Sequence, residues 1–93
     1  MMTSASVWYN VFANWPAAIP RRGIVVSVLN ESTAFKGFLH NDNVLLLERA
    51  NPDAAGTRYV LISYDAIHAV KFTEPLKEAV LLSAGYVGKL SNQ

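Results

Sequence analysis

Gly23 to Phe72 reads GIVVSVLNESTAFKGFLHNDNVLLLERANPDAAGTRYVLISYDAIHAVKF, with five apolar, strand-like runs separated by short polar turns. Ile24 to Leu29 is rich in β-branched residues and reads as the first strand. Ala34 to Leu39 is the second, with Phe35, Gly37 and Leu39 expected on one face and Ala34, Lys36 and Phe38 on the other. Glycine weakens a strand, so Gly37 marks a bend or a close backbone approach, as a small curved sheet requires. Val44 to Glu48 is apolar on both faces and suits a central strand. Arg58 to Ser63 and Ile67 to Phe72 are the fourth and fifth. Only Tyr64-Asp65-Ala66 separates them, which predicts a single helical turn. Asn30 to Thr33, His40 to Asn43 and Asn51 to Gly56 carry turn chemistry.

Outward from this segment, the chain predicts a helix at each end. Thr3, Ser4 and Ser6 are candidate N-caps. Val7, Trp8, Val11, Phe12 and Trp15 follow at helical spacing, which predicts a helix over 4–15. The residue before a proline avoids the helical region, so Pro16 ends it. Pro16 to Pro20 is a stiff connector. Thr73-Glu74-Pro75 reads as a helix start, and Leu76, Ala79, Val80 and Leu82 form a short apolar face up to Gly85. A second helix over 74–84 results.

Ninety-three residues suggest one domain, 1–93. Hydrophobic residues make up 52% and charged residues 16%. So apolar a composition in so small a chain favours surface covered by other copies. The formal net charge of +1 supplies no global field for nucleic acid. The absence of cysteine excludes disulfides and thiolate metal sites. His40 and His68 lack metal-ligand spacing. No run approaches a membrane span and no signal-peptide pattern opens the chain, so a cytoplasmic protein is expected. Nucleophile elbows, phosphate loops and metal motifs are absent, so no catalytic residue, metal or cofactor is assigned and an enzyme is not expected.

Two motifs carry a family resemblance. Gly37, Leu39, Asp42, Leu45, Leu47 and Glu48 follow one order: a strand glycine, an apolar residue two further on, an aspartate turn, and an apolar strand ending in an acid. Ile62-Ser63-Tyr64-Asp65-Ala66-Ile67 keeps the outer isoleucines and the aspartate of a second motif, Ile-Arg-Gly-Asp/Asn-x-Ile, without its Arg-Gly pair. Together, over roughly residues 19–72 plus a preceding helix, they resemble the Sm-like (LSm and bacterial host-factor-like) family. The host-factor Tyr-Lys-His variant is also missing, and the turn after Leu39 is shorter than is usual. Such departures suit a divergent member, such as a phage or environmental bacterial one.

The resemblance implies a mainly β fold: a small, strongly bent, five-stranded antiparallel Sm-like (SH3-like) barrel over 23–72, flanked by the two helices. Another SH3-like barrel is the runner-up. It implies a homo-oligomeric ring of five to seven subunits. The interface would lie at Arg58, Tyr59, Val60, Leu61, Ile62 and Val70. It further implies binding of single-stranded RNA as a scaffold or chaperone, without catalysis. Candidate RNA contacts are Asn41, Asp42, Asn43, Ser63, Tyr64 and Asp65, with Arg21 and Arg22 as phosphate contacts.

Each candidate also has an ordinary reading. Asp65 could cap its own turn. Tyr64 could stack on a base or pack against a neighbour. Asn41 to Asn43 could be plain turn residues, and Arg21 and Arg22 a solvated pair. Trp8, Phe12 and Trp15 are expected to pack on the barrel or a neighbouring subunit rather than to form a stacking platform. The competing function is a structural or protein-interaction ring without an RNA role.

Overall fold

The computed structural model of the chain describes residues 3–91. Its elements are helix α1 (Ser4–Ala13), strands β1 (Gly23–Ser27), β2 (Ser32–His40), β3 (Val44–Arg49) and β4 (Tyr59–Ser63), a 3-10 turn (Tyr64–Ala66), β5 (Ile67–Lys71) and helix α2 (Glu78–Ser83). The fold is mainly β. All five strands join one antiparallel sheet in the order β4-β3-β2-β1-β5.

That order forces curvature. β4 and β5 are consecutive in the chain yet stand at opposite ends of the sheet, with only Tyr64–Ala66 between them. Opposite edges of a flat five-stranded sheet would be about 19 Å apart, four spacings of about 4.8 Å. A three-residue 3-10 turn rises only about 6 Å. The sheet therefore bends until its edges approach one another at this turn. The Val28 amide donates to the Ala66 carbonyl at 2.8 Å and anchors the end of β1 there. β4 and β5 do not pair with each other, so the sheet is open rather than a closed barrel.

Two bulges help the bend. One shifts the β1–β5 register between Val26 and Ser27, the other the β2–β3 register between Phe35 and Gly37. The second overturns the expected faces of β2. The extra residue, Lys36, breaks the alternation. Phe35 and Phe38 both turn inward, 2% and 5% exposed, while Leu39 is 68% exposed. In β3, Leu45 and Leu47 are fully buried, and Val44 and Leu46 are half-covered rather than buried.

The core is aromatic. Phe12 and Trp15 stack at 5.5 Å, and both meet the Phe38 ring edge-on, at 5.0 and 5.2 Å. Phe12 of α1 and Trp15 just beyond it thus pack on the sheet. Thr3 caps the helix, its Oγ1 accepting from the Ser6 amide. α1 ends at Ala13, two residues earlier than the spacing predicts, because Asn14 and Trp15 turn the chain ahead of Pro16. The buried Trp15 indole donates to the Ile19 carbonyl at 3.0 Å and pins the proline connector. The β1–β2 turn sits earlier than expected: Val28 and Leu29 leave the strand, and Asn30 takes a positive φ of 64°. Ser27 Oγ holds this turn by accepting from the Leu29 and Glu31 amides. α2 starts only at Glu78, so Pro75 lies outside it, and Gly85 follows its end with φ 104°.

Candidate functional site

The β2–β3 turn and the 3-10 turn, far apart in sequence, meet in space. The Tyr64 hydroxyl lies 2.8 Å from the Asn41 carbonyl and 3.1 Å from that of Val44, and is the donor to both. This crosslink fixes the two turns as one unit. The ring is 2% exposed and meets Tyr9 of α1 edge-on at 5.6 Å. Tyr64 therefore holds the site together from within and presents no free ring face for a base, because the shortness of the turn carries it into the core. Burial pushes its hydroxyl pKa up, with Tyr9 and the Asp42 charge adding to the effect.

Around Tyr64 opens a surface cavity of about 370 Å³, lined by Asp42, Asn43, Ser63 and Asp65 together with Ala5, Ser6 and Tyr9. The side chains of Asp42, Asn43, Ser63 and Asp65 are exposed, and none makes a hydrogen bond among the described residues. Asp65 does not cap its own turn: the N-cap position, Ser63, has no side-chain cap bond. Asn41 is different. Its Oδ1 accepts from the amides of Asn43 and Val44, both at 2.8 Å, so that oxygen is committed to the turn. The cavity presents two carboxylates and no cation.

Arg21 and Arg22 do not join it. The Arg21 guanidinium lies 4.4 Å above the Phe38 ring, a cation–π contact. Arg22 pairs with Glu74 at 3.3 Å. Sequence reasoning missed Ala5, Ser6 and Tyr9. The signal was there in the i, i+4 spacing of Ala5 and Tyr9, which puts both on one helical face. Nothing local said that this face meets the two turns.

On β4, the Tyr59 and Leu61 side chains are 59% and 65% exposed, whereas Val60 and Ile62 are half-buried. Val70 on β5 is half-buried opposite Val25. No His/Cys/Asp/Glu group that could hold a metal ion occurs among the described residues. None of their helices is long and apolar enough to cross a membrane. No family model, curated protein or solved structure matches the chain.

Proposed function

We propose that the chain is a divergent Sm-like protein whose copies form a ring that binds single-stranded RNA as a scaffold or chaperone, without bond chemistry. The observation that carries this is the convergence of the β2–β3 turn and the 3-10 turn into one cavity, lined by side chains with unused hydrogen-bonding capacity. Single-stranded RNA is recognised largely through base edges. Asp42 and Asp65 accept, and Asn43 and Ser63 both donate and accept. The two carboxylates repel phosphate, so the contacts made here are to bases.

The ring reading rests on the open sheet. β4 and β5 each present an unpaired backbone edge, a liability unless covered. Pairing β4 of one copy with β5 of the next is a heterologous contact that closes into a ring of five to seven. In such an assembly each bent sheet completes its barrel-like layer against its neighbours.

A second reading follows from the cavity's charge. Two carboxylates without a cation suit a basic protein segment, which makes the ring a protein-interaction module. Titration of the assembled protein with labelled oligo-U and oligo-A at two salt concentrations separates the two. Binding that weakens as salt rises supports the RNA ring. An intact ring that binds neither RNA at low salt rejects it in favour of the protein-interaction module. Light scattering that reports a stable monomer at micromolar concentration removes the ring from both readings.

A further inference from the structure

At the other end of β3 the charge is reversed. Lys36, Arg49 and Arg58, from three separate segments, line one small concavity of about 60 Å³ beside Glu48 and Tyr59. The bulge in β2 turns Lys36 to the exposed surface. Arg49 closes β3, and its amide donates to the Arg58 carbonyl at 2.8 Å, which brings the two arginines alongside. Arg49 Nε donates to the Asn51 carbonyl at 3.2 Å and is thereby steered. Three cations therefore share a concavity with a single carboxylate, and the Asp53 carboxylate also feels the charge of Arg49, yet none of the three forms an ion pair among the described residues, where the one salt bridge is Arg22–Glu74.

Gathering like charges in this way is unfavourable unless an anion is shared between them. The space is about that of two water molecules, too small for a base but of a size for phosphate oxygens. Arginine and lysine are the side chains that hold such oxygens. The base-edge cavity lies beyond the opposite end of β3, about five residues or 17 Å away along the strand. One cannot serve as the phosphate site of the other's nucleotide, so this is a second point of attachment.

We propose that Lys36, Arg49 and Arg58 form a phosphate site for the backbone of single-stranded RNA, a reading that rests on the RNA-binding function proposed above. It supplies the electrostatic attraction that the acidic cavity lacks. Lys36 lies on β2 and Arg49 on β3, inside the sheet, whereas Arg58 directly precedes β4, whose free edge a ring would use.

The test compares the unsubstituted protein with Lys36→Gln/Arg58→Gln and with the remote control Lys77→Gln/Lys89→Gln, which removes the same charge elsewhere. Each is titrated with labelled oligo-U and oligo-A over a salt series, with light scattering to confirm equal assembly. The expected result is a log affinity against log salt slope shallower by about 0.7 for each phosphate no longer neutralised, in the cluster variant and not in the control. Phosphates carry no base information, so affinity should fall equally for the two RNAs. If cluster and control variants behave alike while the unsubstituted protein binds, the phosphate site is wrong and the RNA function stands. Weakening confined to one RNA also overturns it, since that indicates recognition of a base. If the unsubstituted protein binds neither RNA, both readings fall. Should Arg58→Gln disturb assembly, Lys36→Gln alone, away from the open β4 edge, decides by the same slope.

Discussion

Gly23→Ala should be far more damaging than Gly37→Ala, although Gly37 is the glycine the sequence motif singles out. A Cβ built on Gly23 would lie 2.6 Å from the Lys71 carbonyl oxygen. That oxygen belongs to the backbone of β5, where Lys71 pairs with Ile24. To reach ordinary contact, which begins near 3.4 Å, the two strands must part by about 0.8 Å or more, at the place where β5 is held to the sheet. Overpacking of this kind costs about 1–3 kcal/mol. For a domain of this size, that lowers the melting temperature by about 4–24 °C before relief of glycine's strand penalty, about 0.5–1 kcal/mol, is set against it. A Cβ on Gly37 would come within 2.8 Å of Glu48 Oε1, but this is the end of a flexible side chain that can swing away. Relief of glycine's strand penalty, about 0.5–1 kcal/mol, offsets the shift. Gly37→Ala should stay within about 4 °C of the parent. Thermal denaturation followed by circular dichroism, at one fixed protomer concentration, measures both. A Gly23→Ala protein that melts with the parent, or a Gly37→Ala protein that loses more than Gly23→Ala, would refute the steric argument.

Two further substitutions probe the turns. Tyr64→Phe keeps the ring against Tyr9 but removes the hydroxyl that ties the 3-10 turn to the Asn41 and Val44 carbonyls. It should cost about 1 kcal/mol and speed amide exchange in the 41–44 turn. Folding raises the Tyr64 pKa, so its contribution to stability is present below the unfolded value of about 10 and is lost as pH rises through the folded one. Tyr64→Phe should therefore flatten the alkaline limb of a stability–pH profile, and an unchanged limb would contradict this assignment. Asp53 Oδ1 accepts from the Ala55 and Thr57 amides, each at 2.9 Å, and the Thr57 amide bond above all lowers its pKa below 3.8. Its stabilisation is present above the unfolded value and is lost as pH falls through the folded one. Urea midpoints measured through the acid range should fall less steeply for Asp53→Asn, and parallel curves would count against it.

What was legible in the sequence was local. Short apolar runs bounded by polar turn residues marked all five strands, because a strand must bury at least one face and end where the chain turns. Tyr64-Asp65-Ala66 could only be a tight turn between two strand patterns. Phe12 announced the buried face of α1, whereas Trp15, read as its last residue, lies beyond the helix end at Ala13. Boundaries followed less closely where caps and turns compete for the same residues, as at Pro75, which lies outside α2, and at Val28 and Leu29, drawn into the turn by Ser27 Oγ.

What only the tertiary structure decided depended on register and on long-range approach. A single bulged residue, Lys36, moved Phe38 into the core and Leu39 out of it, and no periodicity contains that information. Tyr64 became the bolt between two turns because the bent sheet carries it to the Asn41 and Val44 carbonyls, 23 and 20 residues away in sequence. The length of β3 separates an acidic cavity at one end from a cationic one at the other. Charge counted along the chain sums to +1 and averages this polarity away. Folding reveals it, because electrostatic fields depend on where charges lie in space and not on their order in the chain.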